Sequence, residues 1–133
     1  MDIYTDGAYS SKTEKGGWAF YMPDYKMRVC GSDSNTTNNR MELTAVIKAL
    51  EFVVDSNLPD KELNIYSDSN YVVQTMLGNF SKKTNMDLWD KLDLILDGLI
   101  AKKIIWNHIK GHTGEKNGNY IVDLLANLTS QHI

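Results

Sequence analysis

Two tetrapeptides nearly repeat in this chain, "IYTD" at Ile3 to Asp6 and "IYSD" at Ile65 to Asp68. Each joins β-branched and aromatic residues, the composition of a strand, to a closing aspartate. On strand alternation Tyr4 and Asp6 share one face and Ile3 and Thr5 the other, and Tyr66 and Asp68 fall together in the same way. Side by side and parallel, two such strands carry both carboxylates to the carboxyl end of one sheet, where open α/β sheets place their ligands. Gly7 and Ala8 leave room for a ligand beside Asp6. The plain alternative is that each aspartate ends a strand and caps the next turn, which suits Asp68 ahead of a helix.

The surrounding pattern fits a sheet with helices on its faces. Residues 1–9 alternate, 17–22 ("GWAFYM") are aromatic and apolar, and 26–31 ("KMRVCG") form a short run. Gly16, Gly17, Pro23 and Asp24 supply turns between them, which predicts a meander. The polar run "GSDSNTTNN" leads into a helix predicted over 40–54. Its polar side is Arg40, Thr44, Lys48 and Glu51, and Ala45, Val46, Ala49, Leu50 and Val53 form its apolar face. Pro59 stops it. A strand over 63–67 and helices near 70–77 and 87–99 follow, the last with Leu88, Leu92, Ile95, Leu96 and Leu99 in register. Trp89 reads as core. A strand over 104–109 precedes a glycine-rich loop, and a final helix begins near Asn119. Strands followed by alternating helix and strand imply an α/β or α+β architecture. The 133 residues show no linker, low-complexity tract or fixed repeat, so one domain spanning 1–133 is expected.

Composition excludes several classes. No run approaches ~18 apolar residues, so no membrane span is predicted. The start "MDIYTDGAYS" has neither a basic nor an apolar signal region, so a cytoplasmic location is expected. Cys30 is the sole cysteine, which rules out an internal disulfide and reads as a small strand residue. The Asn-x-Ser/Thr triplets at Asn35, Asn79 and Asn127 read as chance matches. The formal charge of −3 argues at first against a nucleic-acid binder. Setting four acids aside as metal ligands leaves 13 of the 17 against 14 Lys and Arg, so the balance decides little.

Glu42 resists a bland explanation. It falls near the middle of its helix's apolar face, three and four residues before Ala45 and Val46. A carboxylate turned inward costs several kcal/mol unless it is paired or bound to a cation. Arg40 lies on the wrong side of the helix to pair with it. Asp6, Glu42 and Asp68 gathered at one sheet end would repel one another, and a hard divalent cation relieves that repulsion. The chemistry expected of such a cluster is metal-assisted phosphoryl transfer.

"YTDGA", "TNNRMEL", "YSDSNYV", "IKGHTG" and "NYIVDLLAN", in that order and nearly end to end, resemble the type 1 ribonuclease H family. The resemblance implies a ribonuclease H-like fold: a five-stranded mixed sheet, three antiparallel strands and then two parallel to the first, with helices on both faces. It implies an endonuclease that hydrolyses the RNA strand of RNA–DNA hybrids, largely independent of sequence, giving 5′-phosphate and 3′-hydroxyl ends. The family's metal-binding acids fall on Asp6, Glu42, Asp68 and Asp123. Two Mg²⁺ ions, with Mn²⁺ as a substitute, would flank the scissile phosphate. One is held by Asp6 and Asp68 and activates a water; the other is held by Asp6, Glu42 and Asp123 and stabilises the leaving oxygen. Asp123 is reached only this way, because Ile121, Leu124, Leu125 and Leu128 read as its helix's buried face and leave Asp123 as a surface charge.

The loop histidine of the family matches His112, whose implied task is to assist proton transfer or product release. Thr37, Asn38, Asn39 and Asn70 match positions that contact the two strands, and Asn38 also reads as a helix cap. One departure stands out. Many members carry a basic, tryptophan-containing helix and loop between "DSxYV" and "DLW", and here only "QTMLGNFSKKTNM" intervenes, with Lys82 and Lys83 as remnant. This is a short form lacking the basic handle. Three other readings stay open: a DNA transposase, integrase or resolvase on the same fold; a hybrid-binding module without activity; and the ribonuclease H domain of a reverse transcriptase. A monomer is expected.

Overall fold

The computed structural model describes residues 1–110 and 118–131. It contains β1 (Asp2–Ser10), β2 (Lys15–Met22), β3 (Met27–Ser34), α1 (Asn38–Asp55), β4 (Glu62–Ser67), α2 (Asn70–Met76), α3 (Met86–Asp97), β5 (Lys103–His108) and α4 (Gly118–Gln131). The strands form one five-stranded sheet in the order β3-β2-β1-β4-β5. β1, β2 and β3 pair antiparallel, and β4 and β5 run parallel to β1. This is the mixed α/β sheet expected of a ribonuclease H-like fold.

Alternation in β1 sends Ile3 into the larger core and Tyr4 and Ala8 towards the opposite face. The larger core packs Phe20, Ile65 and Leu63 of the sheet against Val46, Leu50 and Val53 of α1 and Trp89 and Leu92 of α3. Trp89 is fully buried there, as its spacing predicts. The opposite face is covered by α4, through Val122 and Ala126 on Ala8 and Ala19. Thr44, expected on the polar side of α1, is buried instead, because α1 is enclosed by α3 as well as by the sheet.

The face of α4 is the main correction. Its buried residues are Gly118, Asn119, Val122, Ala126 and Ser130, whereas Leu124 and Leu128 are 47% and 56% exposed and Tyr120 is exposed beside them. The reason is close approach. A Cβ on Gly17 would overlap the Ala126 carbonyl, and one on Gly118 would overlap the Tyr4 ring. The helix lies on the sheet through its small residues, and an apolar-periodicity reading picks the wrong stripe.

Candidate active site

The parallel ladder between β1 and β4 ends at Thr5↔Ser67. Asp6 and Asp68 are the next residues on the two chains, so the shared register brings them to the same level where the strands part. β1 continues past Asp6, paired with β2 as far as Ser10↔Lys15. Asp68 does not cap the following helix: Ser69 does so, its hydroxyl accepting from the Val72 N–H at 3.2 Å. That leaves the Asp68 carboxylate available to the site.

Glu42 enters from α1. It is 5% exposed, and its carboxylate accepts from the Gly7 N–H. Gly7 also donates to Asp6 Oδ1 at 3.0 Å. One oxygen from each of Asp6, Glu42 and Asp68 lies within 4.8 Å of the others, a spacing at which the three could share a metal ion. Burial, followed by the neighbouring Glu42 charge, drives the Asp6 carboxyl far above the ordinary carboxylate range of about 4. Burial likewise pushes Glu42 up to about 8, against the opposing effect of its hydrogen bond with Asp6. Both shifts have the same sign, so burial and crowding favour retention of protons on this pair in the absence of a cation.

A cavity of about 380 Å³ opens over this group, lined by Asp6, Glu42, Asp68 and Asp123 together with Gly7, Asn38 and Asn127. Asp123 thus lines the site, and its proximity adds to the upward shift of the Asp6 carboxyl. It stands apart from the tight trio of oxygens. Its position follows from the rotation of α4 described above: with Val122 and Ala126 inward, Asp123 and Asn127 come to the cavity edge.

Of the residues expected to contact substrate, Asn38 lines the cavity, while Thr37, Asn39 and Asn70 are exposed and outside its lining. The cap of α1 is Thr37, whose hydroxyl accepts from Arg40 N–H at 3.2 Å, and not Asn38. His112 lies outside the described residues. Asn127 and Tyr9 line the cavity without having been given a role from the motifs, though the i, i+4 spacing of Asn127 from Asp123 is a signal visible in the sequence. Oxygen-only donors in this number suit a hard divalent ion over a soft one.

The ribonuclease H family model, described as "RNase H", matches residues 1–131. The chain is 38% identical to a ribonuclease H of Ruthia magnifica subsp. Calyptogena magnifica, over 98% of this chain and 95% of that protein. It is 39% identical to a ribonuclease H of Orientia tsutsugamushi, covering 95% and 79%, and 35% identical to one of Acetivibrio thermocellus, covering 90% and 87%. Matched over nearly its whole length, and with its acids gathered where β1 and β4 part, the chain belongs to the ribonuclease H family of hydrolytic nucleases.

Proposed function

We propose that the chain cleaves the RNA strand of RNA–DNA hybrids as an endonuclease with little sequence preference, leaving 5′-phosphate and 3′-hydroxyl ends. The observation that carries this reading is the convergence of Asp6, Glu42 and Asp68 within 4.8 Å, at a cavity that also presents Asp123 and Asn38. Residues 1–133 act as one catalytic domain, as a monomer and in the cytoplasm.

Asp6, Glu42, Asp68 and Asp123 hold two Mg²⁺ ions in this reading, with Mn²⁺ as a substitute. Bound there, the ions supply an activated water and charge compensation at the leaving 3′ oxygen. Asp6 and Asp68, set level by the β1–β4 register, form the nucleophile side. Glu42 and Asp123 close the leaving-group side with Asp6. His112 assists proton transfer or product release. Asn38 and Asn39 contact the two strands across the minor groove, where amides can donate and accept and the 2′-OH separates RNA from DNA. Thr37 steadies a phosphate of the DNA strand, and Asn70 faces the RNA.

The test is cleavage of a labelled RNA–DNA hybrid with Mg²⁺, beside the same RNA alone, duplex RNA and duplex DNA, for wild type and Asp68→Asn. Hybrid-only cleavage lost in the variant is the expected result. Cleavage of duplex DNA would overturn the substrate assignment. Hybrid binding without cleavage by the wild type would assign an inert hybrid-binding module instead.

A further inference from the structure

Asn127 sits one helical turn beyond Asp123 and lines the same cavity as the four acids. Its side-chain amide donates to the Asp123 backbone oxygen at 2.9 Å and to the Asp123 carboxylate at 3.2 Å. Asparagine is a poor choice for the middle of a helix, so a side chain spent on these two bonds calls for a reason. Asp123 gives one. The oxygens of Asp6, Glu42 and Asp68 are drawn together by β1, β4 and the Gly7–Glu42 contact, and Asp123 stands outside that trio. Its carboxylate accepts from the Asn127 amide, which reaches it from one turn further along α4.

We infer that Asn127 is a positioning residue for Asp123: its amide fixes that carboxylate on the cavity side of α4 and so sets how strongly the outlying acid takes part in cation binding. The inference rests on the proposed reading of the four acids as a divalent-cation site. Partners that orient a metal-binding side chain typically govern metal affinity by roughly 10–100-fold. The Asn127-Leu128-Thr129 triplet is then incidental, and the asparagine is explained by its neighbour one turn earlier.

The test is Mn²⁺ binding to the full chain, followed by electron paramagnetic resonance, for wild type, Asn127→Ala and Asn127→Leu. Alanine and leucine are both better helix formers than asparagine, so a purely helical role predicts an unchanged Mn²⁺ isotherm and a shift in Tm alone. The expected result is one Mn²⁺ bound as in wild type and the weaker Mn²⁺ bound about tenfold less well, with Tm in chelator equal to or above wild type. Both Mn²⁺ affinities within twofold of wild type in folded variants would overturn the inference and leave the proposed function standing. Failure of both variants to fold would make Asn127 a structural residue and also overturn it. A wild type that binds no Mn²⁺ would overturn the cation-site reading itself, and this inference with it.

Discussion

The Gly7 N–H on β1 donates to the carboxylate of Glu42 on α1, joining residues 35 apart in sequence. The bond requires the strand and the helix to approach so closely that a Cβ on Gly7 would overlap Glu42 N and the Met41 carbonyl carbon. The glycine that follows Asp6 is thus the means by which a buried helix carboxylate reaches a sheet carboxylate, not merely open space for a ligand.

Replacing Gly7 with alanine should therefore damage both fold and site. The overlap is with backbone atoms, which cannot rotate away, so the cost should reach the upper part of the overpacking range, about 3 kcal/mol. Urea unfolding measures the first effect. Glu42 moves with its backbone, so hybrid cleavage should fall more than the folded fraction does.

The crowded acids make a pH prediction with a definite sign. Folding raises the pKa of Glu42 to about 8 and that of Asp6 further, both first through burial. Above about pH 4 the unfolded chain has released these protons while the folded chain keeps them, so stability falls as pH rises towards 8. Melting in chelator should show a Tm that declines from about pH 5 to about pH 8, as the unfolding free energy falls by at most about 1.4 kcal/mol per pH unit per proton. Divalent cation should raise Tm more at the higher pH, where it replaces a proton. Asp6→Asn should flatten the decline, raise Tm in chelator and abolish cleavage.

How much of this was legible in the sequence depends on which force sets each position. Asp6 and Asp68 were legible because strand alternation and a shared register fix where both side chains stand. Glu42 was legible because a carboxylate among apolar helix residues carries a free-energy cost that asks for a partner. Asp123 was not, because the packing of α4 follows small residues fitted to Gly17 and Tyr4 and not the leucines that dominate its periodicity. The cap of α1 was misplaced by one residue, since Thr37 and Asn38 are both good capping residues and only geometry separates them.

Tyr71 offers a test of the shortened segment between α2 and α3. Its hydroxyl accepts from Asn85 Nδ2 and from Trp89 Nε1, each at 3.0 Å, and Arg40 of α1 donates to Asn85 Oδ1 at 3.2 Å. The hydroxyl joins α2 to Trp89 of α3 and to Asn85, and Asn85 in turn meets Arg40 of α1, which also pairs with Asp87 of α3, in the segment where this chain lacks the basic handle. Tyr71→Phe would leave the indole N–H of the fully buried Trp89 without its acceptor, at a cost of about 1–3 kcal/mol. The Mn²⁺ isotherm should stay as in wild type, because among the described residues the Tyr71 hydroxyl bonds Thr84, Asn85 and Trp89 and none of the acids. Paired chemical denaturation and metal titration would check both halves.

The face of α4 can be tested by reversing the usual expectation for leucine. If Leu124 and Leu128 formed the core, a lysine at either position would unfold much of the protein, since each would bury a charge. Both are about half exposed in the structure, so Leu124→Lys and Leu128→Lys should each change stability by no more than about 0.5 kcal/mol. Ala126→Leu should behave in the opposite way. Ala126 is fully buried on Ala8 and Ala19, and its own carbonyl already touches the space that Gly17 leaves. Three added heavy atoms of side chain cannot enter there without lifting α4, and overpacking of this kind costs about 1–3 kcal/mol or more. Lifting α4 also withdraws Asp123, three residues earlier on the same helix, so Ala126→Leu should weaken Mn²⁺ binding while Leu124→Lys and Leu128→Lys leave it unchanged. Thermal melts and the same Mn²⁺ titration on all three variants would decide which stripe of the helix holds the sheet.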